Sequence, residues 1–282
     1  MATEPIINVP DMAMVQALAA PSDLKSRLIK HEQFASRYAA DKHDLIVYLP
    51  PMYAAEPERR YPILLMQDGQ NLFDPETSFQ KGNYWRLGET ADLLIESGEI
   101  EPLVIAGIYN TGEHRINEYT PVRDRRQGGG HADAYGKMLV RELLPFIANE
   151  YRVLRSIPNC GIGGSSMGGL VSLYLGLRYA EVFGKLAILS PSVWWHGRSI
   201  LRTVSQTRVN ATQRIWLDVG TKESVRALPD VRALRLSLER KGWRVGENLA
   251  YLEAEGAEHT ESAWAERVAP LLKFLFPRQP FR

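Results

Sequence analysis

The chain has 282 residues, enough for one large domain or two small ones, and 45% of them are hydrophobic against 24% charged. Its 34 Lys and Arg against 33 Asp and Glu leave a net charge of +1, too weak a field to collect nucleic acid or an anionic membrane surface. A single cysteine, Cys160, rules out an intrachain disulfide, and no run of about 18 apolar residues is present to span a bilayer.

Met1-Ala-Thr-Glu-Pro5 lacks the basic and apolar regions of a secretory leader, so a cytoplasmic location is expected. Residues 1–23 are weakly patterned and read as an N-terminal arm on a single domain spanning 1–282. Residues 24–34 and 44–49 predict an early pair of strands, the second stopped by Pro50-Pro51. The apolar run 62–67 predicts a buried strand ending in the turn Asp68-Gly69. A helix follows over 85–97, then a second buried strand over 103–109. Residues 110–132 form a long polar connection ending Gly128-Gly129-Gly130-His131, and connections of that length are commonly functional. A helix is predicted over 133–151, a strand over 158–163, and a helix from Gly168 onward. Strands at 185–189, 214–219 and 248–253 and helices at 225–241 and 261–276 complete the pattern. Strands alternating with helices imply a mostly parallel sheet covered on both faces, with ligands at the carboxyl ends of the strands. Only about two dozen residues separate the strands at 185–189 and 214–219, too few for a large lid domain.

The chemistry concentrates in Gly164-Ser165-Ser166-Met167-Gly168. The G-x-S-x-G pattern follows a strand and opens a helix, the context of a nucleophile elbow. A tight strand-to-helix turn holds the serine hydroxyl clear of the backbone, and flanking glycines keep a Cβ out of the turn. Ser166 is therefore the candidate nucleophile. It needs a general base and a carboxylate to orient that base, in the chain order serine, acid, histidine. His31, His43, His114 and His131 precede the serine, and His196 follows it too closely. His259 follows a strand and opens the last helix, which makes it the candidate base. For the acid, the loop after the 214–219 strand offers Glu223, with Asp218 as the alternative; Asp230 lies beyond a proline. The oxyanion needs two backbone N–H donors, assigned to Met167 after the nucleophile and to Gln70 in the Asp68-Gly-Gln-Asn71 turn.

The whole set resembles the putative esterase family of α/β-hydrolases, which includes enterochelin esterases, feruloyl and acetyl-xylan esterases, S-formylglutathione hydrolases and mycolyltransferases. The matching segments run from Val47-Tyr-Leu-Pro-Pro-Met-Tyr53 and Gln67-Asp-Gly-Gln-Asn-Leu-Phe-Asp74 through Arg115-Ile-Asn-Glu-Tyr-Thr-Pro121 and Gly163-Gly-Ser-Ser-Met-Gly-Gly169. They continue with Leu189-Ser-Pro-Ser192, Asp218-Val-Gly-Thr-Lys-Glu223 and Gly256-Ala-Glu-His259. The resemblance implies an α/β-hydrolase fold, a Ser166–Glu223–His259 triad and an oxyanion hole at Gln70 and Met167. Similar enzymes place the acid in a Gly-Thr-x-Asp/Glu turn, which favours Glu223. The Asp-Gly-Gln turn departs from the His-Gly-Leu of S-formylglutathione hydrolases and argues against that activity.

Asp68, Tyr84, Trp85, Arg115, Tyr119, Trp194 and Trp195 fall on loops expected at the active edge and are the candidate substrate contacts, with Glu118 a further polar one. Flat rings there suit sugars or aromatic acyl groups. No metal signature or dinucleotide loop is present, so neither a metal nor a cofactor is expected. The expected activity is a serine carboxylesterase acting on small or aromatic and sugar acyl esters. Acyl transfer to an alcohol, a siderophore trilactone esterase and a non-catalytic binder on the same scaffold are the alternatives. The oligomeric state is not legible in the sequence.

Overall fold

The computed structural model describes residues 23–210 and 212–278; of the expected arm, residues 1–22 lie outside that range. Eight strands form one sheet: β1 (Leu28–Phe34), β2 (His43–Tyr48), β3 (Ile63–Gln67), β4 (Val104–Ile108), β5 (Cys160–Ser165), β6 (Lys185–Leu189), β7 (Arg214–Gly220) and β8 (Leu249–Ala254). Their order is β1-β2-β4-β3-β5-β6-β7-β8. The β1–β2 and β2–β4 pairs are antiparallel, and the pairs from β4 through β8 are parallel.

The central strands are buried on both faces, which is why they read as unbroken apolar runs. Their side chains still alternate. Ile63 and Leu65 enter one core layer, and Leu64 and Met66 enter the other. The first layer is closed by α2 (residues 132–150), α3 (Met167–Arg178), α4 (Trp195–Gln206) and α5 (Ala227–Lys241). Here α2 is Ala132–Met138 running through a π-helical stretch, Leu139–Leu143, into Leu144–Glu150. The second layer is closed by α1 (Leu87–Glu96) and α6 (Glu261–Leu275). Each fully buried Leu or Ile in these layers contributes roughly 1.5–3 kcal/mol. Cys160 is buried at the start of β5, and burial pushes its thiol up to about 12.

Three local expectations need correction. Leu24–Arg27 is a 3₁₀ turn, because Arg27 turns aside to pair with Asp23 and Asp92. The 110–132 connection carries a 3₁₀ turn, Gly112–His114, and one helical turn, Arg115–Glu118. The hydrophobic pattern predicts no element between 190 and 213, where the structure has α4; its start is broken by positive φ at His196, Gly197 and Arg198. With its mostly parallel sheet, helices on both faces and no large lid among the described residues, the molecule has the α/β-hydrolase fold.

Candidate active site

The parallel register aligns the ends that carry chemistry. Ser165 pairs with Leu189, and Leu189 with Asp218, so the loops after β5, β6 and β7 emerge side by side. Ser166 links β5 to α3 with φ 57° and ψ −121°. That region is sparsely populated for a residue with a Cβ and costs on the order of 1–3 kcal/mol. Neighbouring backbone holds it there: Ser166 N donates to Leu189 O at 3.0 Å, and Ser192 N and Leu170 N donate to Ser166 O, each at 3.0 Å. The glycine after the turn avoids tight contacts. A Cβ on Gly168 would sit 3.0 Å from Asp68 Oδ2 and from Gln67 Cβ.

Ser166 and His259 line one open cavity of about 380 Å³. His259 Nδ1 lies 2.8 Å from Glu223 Oε2, a bond that does not engage Nε2, and Ser166 Oγ lies 3.3 Å from Ser192 Oγ. The ring stands edge-on to Trp264, 4.9 Å between centroids. Glu223 is buried behind the imidazole. Its Oε1 accepts from Ser190 Oγ at 2.5 Å and from Gly220 N at 2.8 Å. Burial opposes its charge, but the hydrogen bonds from His259, Ser190 and Gly220 outweigh burial and hold the carboxyl below its ordinary range. Ser190, at φ 41°, ties this shell together, since its Oγ also accepts from Trp264 Nε1 and Arg267 Nη2.

Asp218 has different company. It is fully buried, accepting from Trp216 Nε1 at 2.7 Å and Ser190 N at 3.2 Å, with Arg267 Nε 3.5 Å away. Burial raises its carboxyl despite these partners. Met167 is the first residue of α3, so its N–H has no intrahelical acceptor. Gln70 lines the cavity from the turn after β3, where Asp68 takes a left-handed φ of 56°. A Cβ on Gly69 would lie 2.6 Å from Gly107 C, so only glycine lets this turn seat against β4. Thr77 Oγ1 donates to Gln70 O, and Gln70 Oε1 accepts from Asn110 N.

Of the expected substrate contacts, Asp68 and Arg115 line the cavity, joined as a bidentate pair with both bonds at 2.7 Å. Burial opposes the Arg115 charge, and Asp68 more than offsets that, raising its pKa above the ordinary value. The five aromatics lie elsewhere. Tyr119 is buried under the Arg115 guanidinium and accepts from Asp68 N. Trp85 is buried against Trp264, and Tyr84 donates to Glu89. Trp195 is 1% exposed and gives its Nε1 to Val122 O, while Trp194 is 44% exposed and rests on Trp195. Glu118 turns away to pair with buried His43. The sequence reading missed Phe79, Asn110, Glu261 and Trp264 as cavity residues. Glu261 and Trp264 carried a usable signal, since both sit within the first turn of the helix that His259 precedes. Phe79, 83% exposed, carried none.

Among the described residues no helix is long and apolar enough to cross a membrane, and no group of three or more His, Cys, Asp or Glu is placed to hold a metal ion.

A family model described as "Putative esterase" matches residues 36–275. An uncharacterized protein of Bacillus subtilis, YbbA, is 27% identical over 254 residues, covering 86% of this chain and 95% of that protein. An endo-1,4-beta-xylanase/feruloyl esterase of Xylanibacter ruminicola is 25% identical over 259 residues, covering 90% of this chain and 32% of that protein. The enterobactin esterase of Shigella flexneri superposes with a TM-score of 0.70 at 18% identity, covering 92% of this chain and 61% of that one, a likeness of fold.

Proposed function

This chain belongs to the Putative esterase family and is a carboxylic ester hydrolase, and from that premise we propose that it cleaves esters through an acyl-enzyme on Ser166. Glu223 is ionised in its hydrogen-bonded pocket and can only accept, so His259 Nδ1 is the donor of their bond. That tautomer leaves Nε2 to take the proton of Ser166 as its oxygen attacks the ester carbonyl. The tetrahedral oxyanion is received by the N–H groups of Met167 and Gln70. His259 returns the proton to the departing alcohol. Water, deprotonated by the same nitrogen, then releases the acid and restores Ser166.

The observation that carries this reading is the 2.8 Å Glu223–His259 bond over a cavity that also contains the strained Ser166. The cavity volume and the exposed ring of Phe79 suit small or aromatic and sugar acyl esters. The likeness to a feruloyl esterase supports an aromatic acyl group, and the fold shared with enterobactin esterase makes a catecholate trilactone a second substrate to assay.

A fluorophosphonate should label the protein stoichiometrically, with labelling and ester cleavage both lost in Ser166→Ala. Absence of labelling in folded wild-type protein would overturn the proposal. Product analysis with added alcohols separates hydrolysis from acyl transfer.

A further inference from the structure

The cavity holds a charge that the proposed reaction does not use. Four titratable residues line it: Asp68, Arg115, His259 and Glu261. Arg115 is spent on Asp68, whose two oxygens take its Nε and Nη2. Beneath the cavity, Arg267 is paired with Asp218 and bonded to Ser190, and Glu223 is paired with His259. Among the described residues Glu261 is in no ion pair, and Arg115 and His259 act on it only from a longer range. It is 6% exposed, and its carboxyl is held by neutral donors, its own backbone N–H and, at 3.3 Å, the side-chain amide of Asn71. Burial pushes its pKa up, as expected for a carboxylate short of compensating charge. The neighbouring polar lining, Gln70, Asn71, Gln80 and Asn110, is uncharged.

We propose that Glu261 sets the charge specificity of the cavity, favouring esters that bring a cation or hydrogen-bond donors and rejecting esters that bring an anion. The inference rests on Ser166 and His259 as the reacting pair. In a cavity of about 380 Å³, no bound group escapes the field of this carboxylate. Screening acts over about 8 Å at physiological ionic strength, and less effectively in a partly buried site. A substrate cation supplies the close partner that Glu261 lacks, whereas a substrate anion adds a second charge with no cation in contact.

The test uses the intact chain and pH-stat titration. The substrates are the acetate esters of choline, of its uncharged carbon isostere, and of a hydroxyalkanoate anion of matched length. Wild-type kcat/KM should fall in that order, by about tenfold or more from first to last. The spread should narrow in high salt, collapse in Glu261→Gln, and persist in Glu261→Asp. A wild-type preference for the anionic ester overturns the inference, and this needs no variant to fold. A spread unchanged in folded Glu261→Gln overturns it too. If the uncharged ester is cleaved in a Ser166-dependent way without charge order, this inference alone falls. If no ester is cleaved through Ser166, the acyl-enzyme reading falls and takes this one with it.

Discussion

Glu223 and Asp218 are both carboxylates at the end of β7, yet their surroundings give them different work. Glu223 spends one oxygen on His259 and anchors the other on Ser190 and Gly220. Asp218 spends itself on Trp216, Ser190 and Arg267 inside the core. Glu223→Ala should therefore lower kcat by about 10³–10⁴ with a modest effect on folding. Asp218→Ala should act on folding, because it strands a buried guanidinium; such losses cost about 3–5 kcal/mol. Paired kinetics and urea titrations separate the two, and the reverse pattern would transfer the acid role to Asp218. The sequence already favoured Glu223, in the loop after the strand, and kept Asp218, within the strand, as the alternative. What separates them is the direction of each side chain, and that depends on the sheet register.

At the scale of elements, the strands with two buried faces were the most legible, because β3, β4 and β6 read as continuous apolar runs. The start of α4 was illegible, because its residues at 196–198 adopt positive φ and its buried apolar positions, Trp195, Ile200 and Val204, are sparse. Cavity walls were illegible for another reason. Phe79 and Asn110 lie on loops far apart in sequence from the elbow and from His259, brought together by strand order alone. Loop residues carry no periodicity from which that meeting could be read. The start of α6 shows how an element serves a site. Thr260 caps it, accepting from Ala263 N at 3.3 Å, directly after His259 and before Glu261. Thr260→Ala should cost about 1 kcal/mol in a denaturant titration, with Thr260→Ser close to wild type.

Over the whole molecule, the two core layers supply stability and the carboxyl ends of the strands supply chemistry. The elbow is where these interests collide. Ser166 occupies a backbone conformation that a glycine would hold with less strain. Ser166→Gly should therefore abolish ester cleavage and yet raise stability by about 1 kcal/mol, after allowing for the greater freedom of glycine in the unfolded chain. A higher urea midpoint at unchanged slope is the expected readout, and a lower one would show that the hydroxyl contributes more to folding than the turn loses. The turn thus favours glycine over the serine proposed as the nucleophile. A lineage released from selection for turnover would gain robustness by drifting to glycine at this position. A serine at 166 in so strained a turn is what the proposed acyl-enzyme chemistry demands at the expense of stability.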